Sequence, residues 1–419
     1  MNRRLVQSIV ESLRVDVPRE ARLAGFESFG LRDWQRTLSW LDDSGLALYL
    51  LERLNQSDSL QLLPLAIQSR LQHNLASNQR RVAEMKEEFR ALNGRFDEAG
   101  VKYAVLKGFA LVPNFCPDAA LRLQYDFDYL VHPDSEATAQ SILRAAGYSR
   151  KGKSPGYEPT GETTFGASPL TAPTHEEGFY SAALPRGVEL HLDLWQPERD
   201  RIDLEVPKDA LDRIRRANCE GISFPALAED DALLFQVLHA FQHVLTFWCR
   251  PSCFLEIAYF IARRSSDAGF WEQFRMRVSG YRQLPAIAAL VFAMAERLFQ
   301  APLPAQVRIW MMSKLPEALT RWVERYGTNW TLAPFPGSKL SLLVHRQFID
   351  DPAAWRTVAW SRLFPLHRPA QVVEPAHSNL TSRWKIKWQQ GAFVLRRLQF
   401  HLRALWGLGW KLLRWTRVG

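Results

Sequence analysis

Two stretches of the chain alternate between apolar and acidic positions. The first runs from position 126 to position 131 and begins with Asp126 and Asp128; the second spans residues 187–195. Because side chains two residues apart on a β-strand point to the same face, the carboxylates of Asp126 and Asp128 should lie side by side. On the second strand one face would carry three polar side chains: Glu189, His191 and Asp193. The pattern predicts two strands of a sheet with one apolar and one acidic face.

Helical periodicity surrounds these strands. Apolar residues recur at helical spacing between Ile67 and Phe96, which predicts a long helix that ends near Gly100. The stripe would also suit a coiled-coil dimer, but packing on the protein's own core is the commoner outcome. The predicted regions are a helical region (1–99), a core (100–215), a second helical region (216–330), a proline-rich connector (331–380) and a basic, tryptophan-rich amphipathic helix (381–419).

The predicted core contains one long segment of loop-like composition. Residues 151–177 are rich in Gly, Ser, Thr and Pro, and a loop of this length inside a domain is usually a functional lid or disordered. Its place between the two acidic strands would let it close over them. After it we predict a strand at 179–184 that forms a β-hairpin with the strand of Glu189.

The acidic strands carry candidate chemistry. Neighbouring carboxylates repel each other unless a positive charge lies between them, and a hard divalent cation is a common solution. Upstream, an apolar run ends at Lys107-Gly108, and a helix-like segment after it would present a lysine and backbone N–H groups to a phosphate. This combination indicates phosphoryl or nucleotidyl transfer. A sheet with one solvated face would give the same alternation, but two acidic strands together favour a site.

Four segments occur in the order of a known family: Leu106-Lys107-Gly108, Arg122, residues 126–131 and Glu189-Leu190-His191. They resemble an uncharacterised bacterial nucleotidyltransferase-like family of the DNA polymerase β superfamily. The chain departs from that pattern at Tyr125, where members usually have Gly. The resemblance implies an α+β fold, in which a polymerase β-like core with a small mixed sheet is embedded between helical N- and C-terminal regions.

The resemblance also implies an activity and roles for residues. A nucleoside monophosphate would move from a nucleoside triphosphate, such as ATP, to an unidentified acceptor (a small molecule, a peptide or a protein). Asp126 and Asp128 would hold Mg²⁺ or Mn²⁺, and Glu189 would share a metal or accept the acceptor's proton. The implied nucleotide-binding residues are Lys107, Gly108 and Arg122. The second-choice site residues are His191 and Asp193.

Arg122 would either pair with the carboxylates or contact phosphate. Two further classes of function stay open. The protein could bind a nucleotide without catalysis, because Tyr125 could narrow the site, or it could act at a membrane surface through its tail. Three acids on facing strands favour the active enzyme.

A second constellation has the residue types of a zinc site: His239, His243, Cys249 and Cys253. Histidines four residues apart share one face of a helix, and four such ligands would suit tetrahedral zinc. The Cys-x3-Cys spacing is unusual for zinc, however, and the flanking residues are apolar. These features favour a structural helix whose histidines hydrogen-bond towards the catalytic core.

The net charge of +9 is concentrated at the end of the chain. No Asp or Glu follows Glu374, whereas nine Lys and Arg residues do, so the rest of the protein is formally neutral. A neutral body makes nucleic acid an improbable partner. The amphipathic stretch 383–417 suits an anionic membrane surface, an RNA-binding arm or a helix packed on the body. Without a secretory signal or a spanning segment, we predict a cytoplasmic protein, peripheral at the inner membrane face if the tail binds lipid.

Overall fold

The computed structural model of the chain describes residues 1–16, 25–150, 162–167, 178–182, 184, 186–197, 201–335, 337–364, 388, 391–392 and 394–408. The strands are β1 (Tyr103–Val105), β2 (Asp126–Val131), β3 (Tyr148–Arg150), β4 (Glu162–Ala167), β5 (Gly187–His191), β6 (Arg215–Cys219) and β7 (Ile222–Ala226). The helices that precede β1 in the chain are α1 (Arg3–Ser12), α2 (Leu31–Asp43), α3 (Ala47–Gln56) and α4 (Leu65–Glu98), and α5 (Glu136–Ala145) connects β2 to β3.

A second set of helices follows the last strand. These are α6 (Glu229–Leu245), α7 (Ser252–Arg263), α8 (Ala268–Ser279), α9 (Leu284–Phe299), α10 (Ala305–Lys314), α11 (Glu317–Trp322), α12 (Thr328–Thr331), α13 (Ser341–His345) and α14 (Pro352–Leu363). A further helix occupies residues 394–408. Within the described ranges, no helix is long and apolar enough to cross a bilayer.

The strands form one mixed sheet in the order β3-β4-β5-β2-β1-β7-β6. The β2–β5 and β1–β7 pairs are parallel, and the other neighbours are antiparallel. This sheet, flanked by helices, confirms the predicted α+β class. Both acidic stretches are central strands, and they are direct neighbours.

The two faces of the sheet are covered by different helices. One face, with Phe127 and Leu190, packs against α4 and α5 in a continuous hydrophobic cluster. The stripe of α4 is buried in this cluster at Met85, Phe89 and Phe96, so packing on the protein's own core is confirmed for the long helix. The opposite face, with the polar positions of β2 and β5, lies towards the helices of both flanking regions.

Two predictions about the segment before β5 are wrong. Residues 162–167 of the predicted lid form β4, which pairs antiparallel with β5. The described residues of the predicted strand at 179–184 form no strand, and a 3-10 turn (Gly178–Tyr180) lies there instead. Thr163, Thr164 and Phe165 favour a strand strongly enough to form one inside a glycine-rich segment. The remainder of the predicted lid, residues 151–161 and 168–177, lies outside the described residues.

The prediction of a helix after Lys107 is also wrong. The chain makes only one 3-10 turn, Gly108–Leu111, and Val112 is already extended. Pro113 disfavours the helical conformation at the residue before it, so the turn cannot continue into a helix. Lys107 is therefore not followed by a helix dipole that could attract phosphate.

Candidate functional site

The acidic positions of β2 and β5 lie next to each other in the sheet. Parallel pairing places Asp128 directly opposite Glu189, and Leu130 opposite His191. Asp128 is only 2% exposed, whereas Asp126, at the start of β2, is half-buried. The alternation along each strand thus brings three predicted site residues, and the second-choice His191, to one face.

Lys107 provides a positive charge for this face. It follows β1 in an extended conformation, and its Nζ donates to Oδ1 of Asp128 at 2.6 Å. The next residue, Gly108, has a φ of +64°, and a Cβ there would lie 2.2 Å from Nε2 of Gln124. Glycine is thus required both for the turn and for the close approach of Gln124. Gly108 is buried, and its evident role is to shape the turn that aims Lys107.

His191 lies at the centre of the polar face. Its Nε2 is 3.2 Å from Oδ1 of Asp128 and 3.7 Å from Oε2 of Glu189. On the other side of the ring, Nε2 of Gln196 lies 3.1 Å from Nδ1. If the Gln196 amide donates to Nδ1, the imidazole proton is on Nε2 and is donated to Asp128. The residue ranked second from the sequence is therefore in direct contact with the buried aspartate.

Asp193 is separated from this group. The strand ends at His191, so the alternation that would have placed Asp193 on the same face stops before it. The Asp193 carboxylate accepts a hydrogen bond from the Leu194 N–H and forms an ion pair with Lys208. The structure does not bring Asp193 to the site.

Burial and charge act differently on the two aspartates. Burial would raise the pKa of Asp128, but the Lys107 ammonium and the hydrogen bond from His191 outweigh it and hold that pKa well below its usual range. The pKa of Asp126 is raised by burial and by the charge of Asp128, despite the opposing effect of Lys107. Burial would lower the pKa of Lys107, but Asp128, Asp126 and Glu189 together raise it. The site therefore holds an ionised Lys107–Asp128 pair beside a carboxylate whose charge is poorly compensated.

This group has the ligands of a metal site. Asp128, Glu189 and His191 each offer one ligand atom, and these atoms all lie within 4.8 Å of one another. Among the described residues, Oδ2 of Asp128 is buried without a hydrogen-bond partner. The two carboxylates offer the oxygen ligands that Mg²⁺ and Mn²⁺ prefer. Asp126 shares their face of the sheet but is not within the 4.8 Å group.

Arg122 has a partner that the sequence did not predict. Its Nε donates to Oε1 of Glu256, on α7, at 3.1 Å, and the Tyr49 hydroxyl also lies 3.1 Å from that oxygen. Arg122 and Glu256 are 14% and 6% exposed, so the ion pair is largely buried. Arg122 thus pairs with a helix-borne glutamate, and not with the strand carboxylates. The lone acidic residue in the apolar run 253–261 was the only signal for it.

A cleft of about 280 Å³ lies between the sheet and the second set of helices. On the sheet side it is lined by Lys107, Arg122, Asp126 and Glu189. On the helical side it is lined by His239, His243, Arg250, Cys253 and Glu256. The helical side was not assigned to the nucleotidyltransferase site from the sequence, because its residues are more than 100 positions away from β2.

Three of the four candidate zinc ligands meet in this cleft. Ligand atoms of His239, His243 and Cys253 all lie within 4.8 Å of one another. Burial raises the pKa of the Cys253 thiol to about 12. Cys249 is not in the group; it is fully buried, with its sulfur 3.7 Å from the Arg250 carbonyl oxygen. The four-ligand set is therefore not assembled, because Cys249 packs into the core before α7 begins.

Comparison with known families agrees with the resemblance. The sequence model of a family described as an uncharacterised nucleotidyltransferase matches residues 31–300. No curated protein matches the chain significantly. The matched region covers well over half of the chain and includes both acidic strands, Lys107 and the helical wall of the cleft. The chain belongs to this family of uncharacterised nucleotidyltransferases.

Proposed function

We propose that this protein is a metal-dependent transferase that moves a nucleoside monophosphate from a nucleoside triphosphate to an acceptor, with a polymerase β-like core. The observation that carries the proposal is the pairing of Asp128 with Glu189 across β2 and β5, with Lys107 at 2.6 Å from Asp128. Family membership supports the reaction class. The buried Oδ2 of Asp128, which accepts no hydrogen bond, supports a cation as a further partner of this carboxylate.

The metal would be Mg²⁺ or Mn²⁺, held by Asp128 and Glu189, with Asp126 and His191 beside them. A cation held there would neutralise negative charge on the phosphate oxygens during transfer. His191 keeps the Asp128 carboxylate oriented through its hydrogen bond. Lys107, which donates to Asp128, lies beside the site and would bind phosphate oxygens there.

The groups that line the cleft can account for the bonds and the proton of the proposed transfer. A bond forms between the acceptor oxygen or nitrogen and the α-phosphorus, and the bond from that phosphorus to the bridging oxygen breaks. Pyrophosphate leaves, and the proton of the acceptor goes to Glu189, which faces the cleft. Arg122, held by Glu256, and Arg250 on the opposite wall would add positive charge for the triphosphate.

A thermal shift experiment tests the proposal. Mg²⁺ with ATP, CTP, GTP or UTP should raise the melting temperature of the wild type, because a ligand at 100 times its Kd stabilises the folded state by about 2.7 kcal/mol. Asp126→Asn with Asp128→Asn should lose this shift. Asp193→Asn, an acid on the same segment but outside the site, should keep it. A wild type that responds to no metal–nucleotide pair would contradict the proposal.

Transfer itself must be measured separately from binding. An α-phosphate-labelled triphosphate incubated with the protein and a cell extract should label an acceptor in the wild type and not in the double Asn variant. Binding of metal and nucleotide without any transferred label would favour the second candidate, a nucleotide-binding protein without catalysis.

We also propose that the C-terminal helix attaches the protein to anionic membrane surfaces. Its inner side packs on the body, with the Phe400 ring 6.1 Å from Phe247 and Leu408 buried. Four apolar residues at helical spacing remain mostly exposed on its outer side: Leu395, Leu398, Leu402 and Trp406. Arg396 and Arg403 are exposed next to them. An apolar stripe flanked by basic residues suits the boundary of an anionic bilayer, where each base adds about 1 kcal/mol.

Liposome flotation tests this attachment. The wild type should float with phosphatidylserine-containing vesicles, less so at high salt, and Leu398→Ser with Leu402→Ser should prevent it. The matched control is Ile309→Ser with Met312→Ser, which replaces two apolar residues on α10 that are even more exposed than Leu398 and Leu402. Equal flotation of both double variants, or no flotation of the wild type, would refute a lipid role for the stripe.

A further inference from the structure

The second cluster in the cleft is built by two helices. His239 and His243 lie one turn apart on α6, and Cys253 lies in the first turn of α7. The two imidazole rings are nearly perpendicular, with centroids 4.8 Å apart. Cys253 is 7% exposed, and all three residues line the cleft. The helices thus hold two nitrogens and one sulfur within 4.8 Å of one another at the edge of an open space.

The donor set selects a class of ion. Mg²⁺ and Ca²⁺ take oxygen ligands, whereas imidazole and thiolate together suit Zn²⁺ and related transition metals. With bonds of about 2.0–2.1 Å to nitrogen and about 2.3 Å to sulfur, tetrahedral ligand atoms lie about 3.3–3.6 Å apart. None of the separations exceeds 4.8 Å, so each would need to close by at most about 1.5 Å on binding.

We propose that His239, His243 and Cys253 bind one Zn²⁺-type ion whose fourth coordination position opens into the cleft. Three protein ligands with one open position is the arrangement of zinc sites that bind water or substrate, whereas structural sites are closed by four ligands. Binding would release the thiol proton of Cys253 to solvent. This ion would be distinct from the Mg²⁺ of the carboxylate site, and the proposal does not depend on nucleotidyl transfer.

Cobalt titration of the reduced, metal-free full chain tests the site, with Co²⁺ as the only added metal. One equivalent should produce a near-ultraviolet sulfur-to-cobalt charge-transfer band and the visible absorption of tetrahedral Co²⁺, whereas Co²⁺ at the carboxylate site would give no thiolate band. Zn²⁺ should displace it, and excess Mg²⁺ should not. Because all four cysteines are buried, a thiolate band would come from a cysteine inside the fold and not from a surface thiol.

Variants identify the ligands. Cys253→Ser should lose the charge-transfer band, and Cys249→Ser, which removes a buried thiol just before α7, should retain it. His243→Gln should weaken binding and reduce the visible absorption, which gives a second reading if Cys253→Ser folds poorly by circular dichroism. Asp128→Asn should leave the charge-transfer band unchanged, so failure here is separable from failure at the carboxylate site.

Three results would overturn the proposal: no thiolate band in the folded wild type, a band that persists in folded Cys253→Ser, or tetrahedral absorption unaffected by His243→Gln. Any of these would leave the two histidines as structural residues of α6, as the sequence pattern favoured.

Discussion

Replacing Lys107 by Met would remove the positive charge from the carboxylate site and keep most of the apolar stem. In the protein, Nζ of Lys107 lies 2.6 Å from Oδ1 of Asp128, and the two side chains are 13% and 1% exposed. The substitution leaves Asp128 buried and ionised next to Asp126 and Glu189. The fold would then contain three carboxylates without their internal counter-ion.

The size of the effect follows from this burial. Removing one partner of a buried ion pair costs about 3–5 kcal/mol of unfolding free energy, because the other charge is left uncompensated. Because His191 still hydrogen-bonds to Asp128, we expect Lys107→Met to lose unfolding free energy at the lower end of this range, about 3 kcal/mol. Mg²⁺ should restore more stability to Lys107→Met than to the wild type, since the cation no longer competes with the ammonium for Asp128.

Urea unfolding with and without Mg²⁺ measures both quantities. The matched control is Lys102→Met: Lys102 also lies 2.6 Å from an aspartate, Asp212, but these side chains are 43% and 66% exposed. An exposed pair contributes at most about 1 kcal/mol, with no dependence on Mg²⁺. If Lys107→Met is no less stable than the control variant, or responds to Mg²⁺ no more than the wild type does, Lys107 is not the counter-ion of the site.

Three other changes test the surrounding charges. Asp126→Asn should equal or exceed the wild-type stability near pH 7 without metal, because burial and Asp128 penalise the charge of Asp126; a clear loss would contradict this. Glu256→Ala should cost about 3–5 kcal/mol in urea unfolding by leaving Arg122 unpaired, and adding Arg122→Met should recover part of it. Burial lowers the pKa of Lys339 to about 8, so between this pH and about 10.4 the unfolded chain binds more protons than the folded protein. The melting temperature of the wild type should therefore rise with pH over this window, relative to that of Lys339→Met. Parallel melting curves of the two proteins against pH would refute this.

The parts of the fold that were predictable are those with local signals. The stripe of α4 and the alternation in β2 and β5 depend on residues within one element, and the structure forms all three elements there. The pairing partner of β5 is not a local property. The predicted hairpin joined it to residues 179–184, but its antiparallel neighbour is β4, whose short Thr-Thr-Phe core was hidden by the glycine and proline around it.

The candidate site divides in the same way. The strand residues Asp128, Glu189 and His191 were predicted to share a face, because the two-residue periodicity of a strand determines the face on which each side chain lies. Glu256 and the helical wall come close only through tertiary packing of α6 and α7 on the sheet, which no spacing in the sequence encodes. Asp193 shows how a local pattern can mislead. The alternation of apolar and polar residues continues in the sequence as far as Asp193, but β5 already ends at His191.

Tyr125 is the position where the chain departs from the family pattern, and its surroundings bear on whether chemistry is retained. The ring lies against the Arg81 guanidinium, 5.0 Å away, and its hydroxyl lies 3.4 Å from the Phe179 carbonyl oxygen. Arg81 is itself held by the carbonyl oxygens of Gln124 and Ser181. The ring thus contacts α4 and the segment before β5. Tyr125 also lines the cleft, and Lys107 is nevertheless in contact with Asp128. A bulky residue at this position is therefore compatible with a working carboxylate site, and it would act instead on the shape of what enters the cleft.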